Sequence, residues 1–319
     1  MEVKEKNISL LEPIGVPEEM INRLAEGLRK EGHVFTYYDT KTTDVEELKR
    51  RSAGQEIVMI ANNPYPDEVV QSGDSLKAIA VAFTGIDHVG LAACREKNIQ
   101  VLNCAGYSNQ SVAELAVGMA VTVMRKILEG DFAVRNGRTS AGLVGTEICG
   151  RTVGIVGCGQ IGFKTARLFK AFGAEVLAYS RHEKEKWKEA GIRFADIDTL
   201  LKESDIVSLH LPLNEATKGF FDGEKIEKMK EDAILINCAR GPIVDNAALA
   251  KALNEGRIAG AAIDVFDMEP PIPADYPLFS AKNVLMTPHV AFATKEAMVR
   301  RAKIEFDNVY AYLQGKPEN

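Results

Sequence analysis

The chain has 319 residues, 46% apolar and 26% charged, with a formal net charge of −6. That length suggests two domains with a core large enough to need no staples, and the acidic balance argues against nucleic acid or an anionic membrane as partner. Five cysteines (Cys94, Cys104, Cys149, Cys158 and Cys238) without a C-x-x-C, and no His or Cys pair at ligand spacing, predict reduced thiols and no metal; with a charged N-terminus and no membrane-length apolar run, a cytoplasmic protein is expected.

An apolar run at 8–11 opens the chain. Pro17-Glu18-Glu19 then starts an amphipathic helix to about Lys30, with proline in a first-turn position. Strands are expected at 34–38, 57–60, 77–83 and 99–102, with helices at 44–51 and 89–97. Strands alternating with helices predict a small doubly wound α/β unit with a parallel sheet. Residues 103–108 read as a hinge. Ser111-Val112-Ala113-Glu114 has capping-box spacing and opens a long apolar helix. Its apolar positions exceed one narrow face, so burial on more than one side is expected, with a partner subunit as one cover. Residues 137–150 read as an extended loop.

A buried strand at 152–156 runs into Gly157-Cys158-Gly159-Gln160-Ile161-Gly162, which fits the G-x-G-x-x-G dinucleotide fingerprint. The first glycine turns sharply, the second lets a pyrophosphate approach, and the third packs helix on strand. The helix N-terminus offers N–H groups to the phosphates. A helix at 161–172, a strand at 175–179 and a helix at 183–190 follow. Further strands are expected at 205–209, 233–237, 259–263 and 284–286. A terminal helix at 294–314 is long enough to return to the first unit, giving a discontinuous domain, 1–102 plus 291–319, and a second domain, 103–290.

Reducing a 2-oxo acid with a nicotinamide requires a cation for the carboxylate and carbonyl, an acid for the developing alkoxide, and a partner for that acid. Arg240, Glu269 and His289 each follow a predicted strand, where α/β sites form. The guanidinium of Arg240 can hold a carboxylate with two bonds. A carboxylate beside His289 favours its charged form. His33 and His182 read as exposed surface residues, His210 as structural, and His88 as a neighbour of the Thr84 loop. Asn62 and Asn63 read equally as cleft residues or helix caps, and Cys158 as a packed side chain with no base to activate it.

The segment 229–245 with its N-C-A-R-G core, D-V-F-D-M-E-P around Glu269, T-P-H-V-A around His289, S-V-A-E at 111–114 and T-G-I-D at 84–87 resemble the blocks of the D-isomer-specific 2-hydroxyacid dehydrogenases over nearly the whole chain. The resemblance implies two flavodoxin-like or Rossmann-type doubly wound domains with a cleft between them. The first would bind substrate. The second would bind NAD(P) and form a homodimer through a helix at about 109–127. Arg240 would clamp substrate, His289 would be the acid/base and Glu269 its partner. The cofactor would be held by Gly157, Gly159, Gln160, Ile161 and Gly162, by the turn at Leu211 and Pro212, and by Cys238 and Ala239 around the nicotinamide. Arg240 and His289 would also adjoin it, and Asp264 would contact its carboxamide. The backbone at Thr84, Gly85 and Ile86 would receive the substrate carboxylate. Where NAD-binding members place an aspartate, this chain has Ser180-Arg181 after Tyr179. That pair favours NADP over NAD, although Glu183 and Glu185 stand nearby. The substrate expected is hydroxypyruvate or glyoxylate, with pyruvate/D-lactate or 3-phosphoglycerate as alternatives. A nucleotide-sensing, largely non-catalytic corepressor is the alternative outside enzymology.

Overall fold

The computed structural model describes residues 5–269 and 271–316. The chain divides into two compact units, Met1–Ser108 with Ala293–Asn319, and Asn109–Phe292.

The first unit contains β1 (Asn7–Leu10), α1 (Glu18–Leu24), α2 (Glu26–Lys30), β2 (Val34–Tyr37), α3 (Val45–Ser52), β3 (Ile57–Ile60), α4 (Asp67–Ser72), β4 (Ala78–Val81), α5 (Leu91–Glu96) and β5 (Gln100–Asn103). Its sheet is parallel, in the order β2-β1-β3-β4-β5, the flavodoxin-like arrangement. β3 (Ile-Val-Met-Ile) and β4 (Ala-Ile-Ala-Val) are buried at every position, as strands covered on both faces must be. The C-terminal helix (Lys295–Leu313), capped by Thr294 accepting from the Ala297 N–H at 3.1 Å, packs on β4, β5 and α1.

Two expectations about this unit need correction. The helix expected to run to Lys30 breaks at Ala25. The Tyr310 hydroxyl is inserted there, accepting from the Leu28 N–H at 3.1 Å and donating to the Leu24 carbonyl at 2.8 Å. Those two backbone groups would otherwise bond each other, and a side chain wedged into the ladder breaks a helix. His33 is 5% exposed rather than on the surface, and its Nδ1 accepts from the Lys6 N–H at 3.2 Å.

The second unit begins with α6 (Asn109–Met124) and α7 (Ile127–Arg135). It continues through β6 (Thr152–Val156), α8 (Gln160–Ala171), β7 (Glu175–Tyr179), α9 (Glu185–Glu189), β8 (Arg193–Phe194), α10 (Ile197–Glu203) and β9 (Ile206–Leu209). It ends with α11 (Gly223–Glu227), β10 (Ile234–Asn237), α12 (Asn246–Glu255), β11 (Gly260–Ile263) and β12 (Val284–Met286). The parallel sheet has the order β12-β11-β10-β9-β6-β7-β8, so the fingerprint strand stands at the point where strand order reverses, as in a Rossmann sheet. α6 starts at Asn109, before the expected cap. Ser111 therefore lies in the first turn, and its hydroxyl donates to the Phe292 carbonyl at 3.5 Å instead of capping. Val112, Ala116, Met119 and Ala120 of α6 are buried against α8 and the strands behind it.

Candidate active site

The carboxyl ends of the second unit's strands are level. Tyr179, Val156, Leu209, Asn237, Ile263 and Met286 are register partners across six strands. The ladder runs one residue further: the Gly157 N–H donates to Tyr179, His210 to Val156, Asp264 to Asn237 and Thr287 to Ile263, at 2.8–3.0 Å. The residues next in line are thus Ser180, Gly157, His210, Cys238, Asp264 and Thr287. Every cofactor or catalytic residue expected in this unit lies in the segments leaving this row.

At β6 the chain turns with Gly157 at φ +112°, where a Cβ would stand 2.5 Å from the His210 carbonyl oxygen. A Cβ on Gly162 would stand 2.3 Å from the Gly157 oxygen, so α8 packs hard against the turn. A Cβ on Gly159, by contrast, would meet nothing within 4 Å. Gly159 is also the N-cap of α8 and brings no side chain to the first-turn N–H groups of Gln160, Ile161 and Gly162. An open cradle with unclaimed donors fits the pyrophosphate of a dinucleotide. Cys158 is 4% exposed, and burial pushes its thiol up to about 11. Beyond β7, Ser180 is half-buried, while Arg181 is exposed and forms no ion pair among the described residues. Glu183 is held at 2.7 Å by Lys188.

After β9, His210 bonds the Ser208 hydroxyl through Nε2 at 2.9 Å, and burial pushes its imidazole down to about 4, so it is neutral beside the glycine turn. Leu211 is half-buried and Pro212 exposed. The Pro212 carbonyl accepts from the Thr217 hydroxyl at 2.6 Å.

At β10 the buried Asn237 organises the turn that carries Arg240. Its amide accepts from the Ala239 N–H and donates to the Arg240 carbonyl, both at 3.0 Å. The half-buried Arg240 side chain donates Nη1–H to the Ala239 carbonyl at 2.8 Å. A Cβ on Gly241 would overlap the Phe266 carbonyl at 1.9 Å, so this turn is pressed against the segment leaving β11. Cys238 is 9% exposed and donates to the Met119 sulfur at 3.6 Å; burial raises its thiol far above the usual range.

His289 and Glu269 meet directly. Imidazole Nδ1 lies 2.8 and 3.0 Å from the two carboxylate oxygens of Glu269. His289 has φ +55°, a left-handed conformation that a non-glycine residue adopts only where its surroundings enforce it. Asp264 supplies that enforcement. It is fully buried, and Oδ1 accepts from the Thr287 hydroxyl and the Val290 N–H (2.9 Å), Oδ2 from the Ala291 N–H (2.9 Å). The Asp264 carbonyl takes the His289 N–H at 2.8 Å. Desolvation raises the Asp264 carboxyl, opposed by these hydrogen bonds. On the Glu269 side, Asp267 is fixed by Asn246 at 3.1 Å and Tyr276 at 2.9 Å. The roles of Asn237, Asn246, Thr287 and Tyr276 were not anticipated from sequence. Only Asn237 carried a signal, an Asx residue ending an apolar strand just before a turn.

Thr84, Gly85 and Ile86 belong to the first unit, in the loop after β4. The Thr84 carbonyl accepts from the Asn103 amide at 2.9 Å and the Ile86 carbonyl from the Val89 N–H at 3.1 Å. The N–H groups of residues 84–86 have no acceptor among the described residues. Asn62 and Asn63 cap no helix. Asn62 accepts from Lys41 at 2.6 Å, and the buried Asn63 donates to the Thr42 carbonyl at 2.9 Å. Among the described residues no group of three His, Cys, Asp or Glu could hold a metal, and no helix is long and apolar enough to cross a membrane.

A level row of strand ends bearing a glycine cradle, an arginine turn and a His–Glu pair defines a nicotinamide-dependent α/β oxidoreductase. Residues 117–291 match the family model for the NAD-binding domain of the D-isomer-specific 2-hydroxyacid dehydrogenases. The chain is 38% identical over 281 residues to a glyoxylate reductase of Thermofilum pendens, covering 85% of this chain and 82% of the relative. It is 33% identical over 303 residues to a hydroxypyruvate reductase of Blautia hydrogenotrophica, covering 92% and 93%. An acyclic imino acid reductase solved with NADPH and D-Arg superposes with a TM-score of 0.87 at 30% identity, over 98% of this chain and 99% of that one. The protein belongs to the D-isomer-specific 2-hydroxyacid dehydrogenase family. The corepressor alternative gains no support from these relatives.

Proposed function

We propose that this protein reduces a small 2-oxo acid, hydroxypyruvate or glyoxylate, to the D-2-hydroxy acid with NADPH as the preferred donor. The observation that carries the reading is the His289–Glu269 pair at 2.8 Å, on a loop that leaves the same strand row as the glycine cradle and Arg240. A nicotinamide held there would supply the hydride for the carbonyl carbon. Arg240, braced by the Ala239 carbonyl, holds the substrate carboxylate and polarises the carbonyl. With Nδ1 committed to Glu269, His289 delivers its proton from Nε2 to the substrate oxygen. Glu269 fixes the orientation of the ring. Cys238 and Ala239 would line the nicotinamide pocket, and Leu211 and Pro212 would adjoin the cofactor. Asp264, fully buried, serves the site through the bonds that hold the His289 loop. The unclaimed N–H groups at Thr84, Gly85 and Ile86 are donors suited to a carboxylate. Preference for NADPH rests on Ser180 and the unpaired Arg181, with Glu183 engaged by Lys188.

The test is turnover by wild type and His289→Ala on hydroxypyruvate, glyoxylate and pyruvate with each cofactor. The variant loses at least about a hundredfold in kcat, as general acid catalysis is worth. Near-normal kcat in the variant sinks the proton-donor role, and a clear NADH preference in wild type sinks the Ser180–Arg181 reading.

We further propose a homodimer formed by the second unit. Leu128 and Phe132, each 55% exposed, line a groove of about 830 Å³ with Ala133, Ala141 and Leu143, and Val134 (77%) and Val144 (86%) are further exposed apolar side chains of the same segment. Exposed patches of this kind mark association surfaces. Sedimentation should give twice the chain mass, and Phe132→Glu should shift it toward monomer.

A further inference from the structure

The glycine turn and the Ser180 turn are tied to one another by a side chain that the reaction itself does not use. The Tyr179 carbonyl, the last of β7, accepts twice from the glycine turn: from the Gly157 N–H at 3.0 Å and from the Cys158 thiol at 3.7 Å. Both bonds pin the peptide that carries Ser180. Burial keeps the thiol protonated at neutral pH, so it remains a hydrogen-bond donor. At 4% exposure the thiol is out of contact with bulk water, one peptide away from the cradle that fits a pyrophosphate.

Granting that a nicotinamide dinucleotide occupies that cradle, the geometry points to Cys158 as a positioning residue that sets the choice between a 2′-phosphate and a 2′-hydroxyl on the adenosine ribose, by fixing the peptide that carries the Ser180 hydroxyl. Cys158 touches no reacting atom. A cysteine that merely fills space would support both cofactors equally, and that is the difference to measure.

The experiment uses the full chain and fluorescence titration with NADPH and NADH. The proteins are wild type, Cys158→Ala, Cys158→Val, Cys158→Ser, Ser180→Ala and the double variant Cys158→Ala with Ser180→Ala. Removing the thiol should weaken NADPH relative to NADH by about three- to tenfold, the worth of a lost hydrogen bond. Valine fills the site without the bond and should act as alanine does, so either variant suffices if the other fails to fold. Serine restores the wild-type ratio. In the Ser180→Ala background, Cys158→Ala adds nothing, as a residue acting through Ser180 must behave. Equal weakening of both cofactors, multiplying effects in the double variant, or a serine variant resembling alanine overturns the proposal. Wild type that binds neither cofactor sinks the functional reading itself. Wild type preferring NADH sinks only the NADPH preference and leaves the shift in ratio measurable.

Discussion

Asp264→Asn isolates the device that holds His289. The carboxylate takes three donors on two buried oxygens, from Thr287, Val290 and Ala291. Asparagine keeps the shape but replaces one acceptor with a donor. If the amide oxygen stays at Oδ1, the buried Ala291 N–H faces an NH2 group and loses its acceptor. The flipped amide leaves the Val290 N–H without its acceptor instead, while the Thr287 hydroxyl turns to accept from the NH2 group. One buried donor stripped of a charged acceptor costs about 1–3 kcal/mol, and the new amide protons add a cost of similar size. Relief from desolving a carboxylate offsets part of this, so a net loss of about 2–4 kcal/mol is expected. His289 also stores strain of about 1–2 kcal/mol in its left-handed backbone. With its brace weakened, the loop relaxes toward ordinary φ and the Glu269 contact is lost. Urea unfolding reads the first effect and kcat the second, which should fall at least about tenfold. Unfolding within about 0.5 kcal/mol of wild type, together with unchanged kcat, would refute the brace.

The two flanking glycines of the cradle should separate. Gly159→Ala folds normally, its Cβ meeting nothing within 4 Å, but weakens both cofactors; Gly162→Ala, 2.3 Å from the Gly157 oxygen, lowers thermal stability as well. Tm and cofactor titration on each protein check this, and equal Tm losses would contradict it. In the first unit, Glu305 is fully buried with neither oxygen bonded, and desolvation raises its carboxyl well above the usual value, with Arg301 opposing and Glu12 adding. A raised folded-state pKa gives stability that is present below the unfolded pKa and lost as pH rises toward the folded one. Glu305→Gln removes that dependence, so its advantage over wild type should grow with pH above about 4.3, by about 1.4 kcal/mol per pH unit until the folded-state pKa is passed. Urea unfolding at several pH values reads the slope, and a difference that does not change with pH refutes the assignment.

The βα rhythm, the glycine turn and the three chemical blocks were legible because each is local: alternation, spacing and turn chemistry repeat within a few residues. The short helices α4, α7, α10, α11 and α12 were not. They are five to ten residues long, stabilised by packing and by caps such as Asp196 and Asp222 rather than by a sustained apolar period. The break at Ala25 depends on Tyr310, 285 residues away in sequence from that alanine, and no local pattern carries it. Asp264 shows the same limit inside the site. Family resemblance suggested a ligand contact, whereas the bonds to Thr287, Val290 and Ala291 reveal a brace that exists only when β11 and β12 lie side by side.

That pairing explains how side chains spread over 110 residues from Ser180 to His289 come to follow one row of strand ends. Parallel strands keep their ends level only while register holds, and a slip of one residue reverses which face each side chain takes. The Ile263–Met286 pairing sets Thr287 beside Asp264, and the Thr287 N–H to Ile263 bond at 3.0 Å carries the ladder past the strand. The Asp264–Thr287 side-chain bond then locks the same register from above. The Asn237 clamp does this for the Arg240 turn, and Cys158 ties the glycine turn to the Tyr179 carbonyl at the end of β7. Each of these turns is thus held by a side chain at a strand end or within two residues of it, so the sheet supplies common alignment and these ties supply individual aim. Mutations at the ties should therefore alter cofactor choice or kcat while leaving both sheets intact.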